Sequence, residues 1–187
     1  MKLKFHTWVL FLIAVLMVCT VLPVGDYSSG IVHALWLVLL GGIFLIVFLI
    51  AISESFYSLL KKKERFNFTP LVLLTVLSLV VYLSVFTDNN KFWTLKILEA
   101  EIQNSQAYGG SLTLYNNQSF AAAVRSAEYS KTFQSDYKMN GDTLYLERED
   151  LIAVTDSLFT TSYLRVNDTL FVPLAHGFDS LSIQEQK

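Results

Sequence analysis

His176 sits in Ala175-His176-Gly177-Phe178-Asp179-Ser180, with an aspartate and a serine close behind it. A nucleophile, base and orienting acid converge from separated elements, so three such residues in one short stretch do not make a triad. Glu147, Glu149 and Asp150 offer carboxylates for a cation, but without the loop glycine and ligand spacing of an EF-hand; they read as a solvated acidic turn. His6 and His33 border long apolar runs, beside Trp8 and before Trp36, and read as interfacial histidines; nothing near His6 in the sequence pairs with it. Cys19 is the sole cysteine, so it can form no disulfide within the chain, and a thiolate metal site would need further ligands. It reads as a small buried hydrophobe. A lipidated cysteine wants a small residue before it, and Val18 is not one. No glycine-rich phosphate loop, HExxH or zinc spacing occurs in the chain. No catalytic, cofactor-binding or metal-ligating residue is therefore assigned, no cofactor is expected, and an enzyme is disfavoured.

The elements around these residues divide by charge. The chain has 187 residues, 53% hydrophobic and 16% charged, where a soluble domain is nearer one quarter charged. Residues 1–87 carry a net +3 and residues 88–187 a net −5. This division predicts a membrane part at 1–87 and an acidic, water-facing domain at 88–187. A domain of net −5 is a poor partner for nucleic acid.

Three apolar runs fill the first part. They predict three transmembrane helices at about 5–24, 31–60 and 70–87, because ~20 residues at ~1.5 Å each span a ~30 Å hydrocarbon core. Lys2 and Lys4 before the first run also fit a signal peptide, but the run is long for one and no Ala-x-Ala follows. Pro23 to Gly30 reads as a short outer turn. Gly41-Gly42 allows close approach of a neighbouring backbone. Thr69-Pro70 reads as an N-cap followed by the first helical position. Phe66, Phe68, Phe92 and Trp93 would flank the third helix as interfacial aromatics. No Asp, Glu, Lys or Arg falls at membrane depth, which argues against ion or proton transport by this chain alone. Lys61-Lys62-Lys63-Glu64-Arg65 is the one dense cationic run, in a loop at 61–68. It places that loop and the N-terminus in the cytoplasm and Lys187 outside. A topology signal alone accounts for the run; the alternative reading is a contact with anionic lipid.

Asp88-Asn89-Asn90 ends the third run, and Phe92 to Ile102 fits either a strand or a short helix. Beyond Gly109-Gly110 the pattern turns to β: Ser111 to Tyr115 alternates, and Asn116-Asn117-Gln118 leads into Ser119-Phe120. Phe133, Tyr137 and Met139 share a strand face, and Asn140-Gly141-Asp142 is a hairpin turn returning through Leu144 and Leu146. Ser162 to Pro173 repeats that grammar around Asn167-Asp168. The fold class expected is thus membrane α, with three transmembrane helices, plus a small C-terminal antiparallel β domain, a meander of barrel- or sandwich-like form. Asn67, Asn117 and Asn167 each begin an Asn-x-Ser/Thr triplet.

The stretch from Leu112 to Glu147 resembles the hairpins of lipocalin-like domains in uncharacterised bacterial envelope proteins. Tyr137, Gly141, Asp142, Leu144 and Leu146 match that pattern, while Ser135 stands where a glycine is common. The resemblance implies a fold and no catalytic residue. The reading that results is a multi-pass protein of the cell membrane with its C-terminal domain extracytoplasmic. It would present that domain as a non-enzymatic interaction, accessory or immunity-type module. Its partners would be the lipid bilayer and another envelope protein. The alternative is a small envelope protein that binds an apolar ligand in a lipocalin-like pocket.

Overall fold

The computed structural model describes residues 5–63, 65–86, 91, 93–102, 109–126 and 128–186. The helix break at Asp88-Asn89-Asn90, the aromatic Phe92 and the charges of Lys2, Lys4, Glu64 and Lys187 lie outside them. The chain forms two compact units, one of residues 1–23 and 32–90, the other of residues 24–31 and 91–187.

The first unit holds α1 (Phe5–Val21), α2 (Ile31–Lys62) and α3 (Thr69–Phe86). Leu10, Ile13 and Ala14 of α1 are buried with Phe44 of α2 and Leu77 of α3. The expectation of three transmembrane helices is corrected here. Among the described residues only α2, over Ile31–Lys61, is long and apolar enough to cross a membrane; α1 and the apolar part of α3, Thr69–Ser84, are shorter. The reason is how the helices end. α1 makes its closing bond from Leu22 N–H to the Val18 carbonyl and stops before Pro23 and the left-handed Gly25 (φ 68°). At ~1.5 Å per residue its 17 residues reach about 26 Å. Apolar composition gave no measure of that limit.

α3 starts one residue away from the expected frame. Val72 N–H donates to the Phe68 carbonyl, which makes Phe68 the cap and Thr69 the first helical residue. Asn67 Oδ1 accepts the Thr69 N–H at 3.1 Å and its hydroxyl at 2.7 Å. Gly41 and Gly42 do not receive a neighbouring backbone: a Cβ on Gly41 would meet only the tip of Met17 at 3.8 Å, and one on Gly42 nothing within 4 Å.

The second unit is a closed antiparallel barrel of eight strands with one strand added. The strands are β2 (Lys96–Ile102), β3 (Gly109–Tyr115), β4 (Ser119–Arg125), β5 (Tyr129–Asn140), β6 (Thr143–Glu147), β7 (Ser162–Asn167), β8 (Leu170–Pro173) and β9 (Leu181–Gln186). Each pairs with the next in sequence, and β9 closes on β2. This up-and-down closure gives each of the eight strands two neighbours and is the barrel form that the lipocalin resemblance implies. The turn at Asn140-Gly141-Asp142, with Gly141 at φ 59°, joins β5 to β6. Residues 162–173 form the β7–β8 hairpin, and the stretch to Ile102 is strand from Lys96.

Period-two alternation points one face of every strand inward. Leu98, Ala100, Leu112, Leu114, Phe120, Ala122, Leu144, Leu146, Tyr163, Phe171 and Leu181 form one core. Leu151, from the short helix α4 (Leu151–Val154), and Phe159 complete it. Gly110 leaves room for Phe159: a Cβ there would lie 2.9 Å from Phe159 Cζ and 2.5 Å from Ile102 Cδ1.

The added strand, β1 (Tyr27–Gly30), comes from the connection between α1 and α2, where only a turn was expected. It pairs antiparallel with β5, from Tyr27 opposite Thr132 to Gly30 opposite Tyr129. Gly30 (φ 147°) allows the approach, since a Cβ would fall 2.7 Å from the Glu128 carbonyl oxygen. The barrel unit is therefore discontinuous in sequence.

Candidate functional site

β5 is twelve residues long and has two partners along one edge. β1 covers residues 129–132 and β6 covers residues 136–140, which leaves the backbone between them without a strand partner on that side. Backbone polar groups left without partners are costly, and side chains close this gap. Asp26 Oδ1 accepts the Gln134 N–H at 3.0 Å, Arg148 Nη1 donates to the Gln134 carbonyl at 3.0 Å, and the Ser135 hydroxyl donates to the Glu147 carbonyl at 2.7 Å.

Arg148 is the centre of this arrangement. Its Nη1 and Nη2 donate to Asp26 Oδ1 and Oδ2 at 2.6 and 2.8 Å, the parallel fork that a guanidinium makes with a carboxylate. Its Nε donates to Asp150 Oδ1 at 2.8 Å, and the guanidinium lies 5.4 Å from the centre of the Phe133 ring. Hydrogen bonds from Arg148 hold the carboxyls of Asp26 and Asp150 below the usual carboxylate range, and the two carboxylates push Arg148 further up. A carboxylate so held is ionised at neutral pH and already occupied, so the cluster ties β1 to the barrel and offers no proton for transfer.

An open groove of about 720 Å³ runs beside the β5–β6 hairpin. Gln118, Tyr137, Lys138, Met139, Tyr145 and Glu147 are among the residues that line it. Lys138 Nζ and Glu147 Oε1 are 2.5 Å apart, Tyr145 and Met139 are exposed, and the Tyr137 hydroxyl is fixed by donating to the Tyr115 carbonyl at 3.2 Å. A second recess of about 560 Å³ adjoins Glu147, Arg148, Glu149 and Thr161. The groove thus combines an exposed tyrosine and methionine with a paired charge.

Nearby, Lys91 is buried. Its Nζ donates to Ser119 Oγ at 3.0 Å and lies 4.5 Å over the Tyr115 ring. Burial lowers its pKa, and the charge of Asp136 acts in the opposite sense.

The residues weighed from sequence fall apart in space. His176 is exposed in a turn, and among the described residues no hydrogen bond or ion pair joins it to Asp179 or Ser180. Glu147 pairs with Lys138 and Asp150 with Arg148. No group of three His, Cys, Asp or Glu side chains that could hold a metal occurs among the described residues. Cys19, expected to be buried, is exposed on α1. His6 does have a partner: its Nδ1 is 3.3 Å from Glu54 Oε2 on α2. Asn117 Oδ1 accepts the Ser119 hydroxyl at 2.8 Å, so this glycosylation-type triplet also shapes a turn. Sequence reasoning missed Asp26 and Arg148, which lie 122 residues apart and carry no local pattern linking them. No family model, curated protein or solved structure matches the chain.

Proposed function

We propose that this chain is a membrane-anchored, non-enzymatic protein whose barrel is an interaction module that works through its outer surface. The filled interior carries the reading. Leu112, Phe120, Phe159, Tyr163 and Phe171 meet inside the barrel with essentially no solvent exposure. A lipocalin-like ligand site would need a cavity where these side chains stand. What the barrel offers to another molecule is its exterior, and the groove beside β5–β6 has the aromatic and methionine content suited to a protein partner.

The anchor is α2. Val32, Val38 and Leu60 are each at least 70% exposed, a cost in water that a bilayer removes. The cations that follow its end at Lys61 suit the cytoplasmic face, where loops are rich in Lys and Arg. The partner class is a second protein of the same membrane or envelope.

Two measurements on the full chain test the reading. The protein should remain in the membrane pellet after alkaline carbonate extraction. In detergent it should show no saturable fluorescence enhancement of cis-parinaric acid, an apolar probe of barrel interiors. Carbonate release would refute the anchor, and stoichiometric binding of the probe that is lost on Leu112→Trp would refute the filled-barrel argument.

A further inference from the structure

At the end of α2 the apolar surface meets a group of cations. Leu60 is 77% exposed, and Lys61, Lys63 and Arg65 follow, all exposed. Lys63 adopts a left-handed conformation (φ 52°), which stops the helix after Lys62 and turns the chain. The segment beyond is folded back by aromatic packing: the Phe66 ring lies edge-on to Phe56 of α2 at 5.2 Å and to Phe68 at 4.9 Å. Phe56 and Phe68 are themselves more than half exposed. Among the described residues, Lys61, Lys63 and Arg65 make no ion pair or hydrogen bond, although carboxylates elsewhere in the protein are paired with cations. Aromatic rings at the end of an apolar helix suit the headgroup level of a bilayer. Cations next to them, without a partner among the described residues, have the chemistry that lipid phosphates require.

We propose that Lys61, Lys63 and Arg65 form a binding site for the phosphate headgroups of anionic lipids, with Phe56, Phe66 and Phe68 seated just beneath the headgroups. The proposal rests on α2 being a membrane anchor and adds the class of lipid that it selects. The recognising chemistry is charge-assisted hydrogen bonding from two ammonium groups and one guanidinium to phosphate oxygens. Each cation near an anionic surface strengthens attachment by about fivefold. Lys61 and Lys63 also lie at the negative end of the helix dipole, and a cation there is favourable with or without lipid. The test must therefore read lipid composition as well as stability.

The full chain is incorporated into bilayers of one part phosphatidylglycerol to three parts phosphatidylcholine and extracted in mild detergent. The lipid that remains bound is counted by native mass spectrometry. The wild type should retain phosphatidylglycerol at least tenfold above its share of the bilayer. The variant Lys61→Gln/Lys63→Gln/Arg65→Gln should retain the two lipids in their bulk ratio, while Lys61→Arg/Lys63→Arg/Arg65→Lys should keep the enrichment. Inorganic phosphate at millimolar concentration should not displace the lipid. Carbonate extraction is run in parallel on all three proteins. Retention of the wild type in the membrane without phosphatidylglycerol enrichment overturns this site alone. Equal enrichment in the glutamine variant also overturns it, and displacement by inorganic phosphate shows an anion site indifferent to lipid. Release of the wild type by carbonate overturns the anchor and the site together.

Discussion

Breaking the Asp26–Arg148 fork should release β1 while leaving the barrel closed. The perturbation is a double-mutant cycle of Asp26→Asn and Arg148→Gln. Asp26→Asn keeps a carbonyl oxygen for the Gln134 N–H and removes the charge facing Arg148. Arg148→Gln removes the fork to Asp26, the bond to the Gln134 carbonyl, the pair with Asp150 and the ring contact with Phe133. Two unit charges at fork distance would interact by several kcal/mol at an effective dielectric of ~20, before desolvation is counted. Asp26 is 45% exposed, however, so the pair belongs nearer the surface class, and the coupling energy should be about 1 kcal/mol. Arg148→Gln alone should cost about 2–3 kcal/mol, since a hydrogen bond of ~1 kcal/mol and a cation–π contact of ~0.5–1 kcal/mol are lost with the ion pairs. Hydrogen exchange on the full chain in micelles reads both quantities, through the amides of residues 27–30 and 129–132. The folded-state pKa of Asp26 lies below its ordinary value of 3.8, so the contribution of the fork is complete above that value. It is lost as the pH falls through the folded value, and the coupling measured at pH 7 should shrink toward pH 3. A coupling below about 0.3 kcal/mol, or unchanged protection of residues 27–30 in Arg148→Gln, would show that β1 is held by backbone pairing alone.

Other consequences follow from the core. Gly110→Ala should destabilise the barrel by about 1–3 kcal/mol, because the new methyl meets Phe159 and Ile102, and Phe159→Leu in the same chain should recover part of the loss. Failure of Phe159→Leu to compensate in thermal unfolding would place the strain elsewhere. Lys91→Met should leave stability at pH 7 equal or raise it by about 1 kcal/mol, because a buried ammonium is replaced by an apolar chain of similar length. The folded pKa of Lys91 is lowered, so wild-type stability should rise with pH as the folded form loses its proton first, and the variant should lack that rise. Tyr27, Tyr137 and Tyr163 are raised by burial and withdraw stability above pH 10.0, so the comparison belongs below it. A loss beyond about 1 kcal/mol in Lys91→Met would mean that the contacts with Ser119 and Tyr115 outweigh the cost of burial.

The parts of the fold that were legible in the sequence are those set by local chemistry. Leu144 and Leu146 alternate after a turn that accepts positive φ, and the structure pairs Leu146 with Tyr137 and Leu144 with Met139. β1 was not legible, because Tyr-Ser-Ser-Gly has no alternation and shares its composition with turns. It is a strand only because β5 extends past the end of β6 and has an edge to offer. The expectation that all three helices span failed for a related reason: hydropathy marks apolar runs but does not mark where Pro23 and Gly25 end a helix. The site was less legible than the fold. The groove depends on a hairpin and on Gln118 from another turn, and the Arg148 cluster on a residue from the connection between two helices.

Photocrosslinking in native membranes tests the central claim, that the barrel acts through its outer surface. A photoreactive phenylalanine analogue replaces Tyr145 in the groove in one protein and Val166, an exposed position on β7, in another. The account predicts a discrete protein adduct from position 145, absent from position 166 and weakened by Lys138→Glu, with no apolar small molecule retained by the extracted protein. No adduct at position 145, together with a stoichiometric apolar ligand carried inside the barrel, would contradict it.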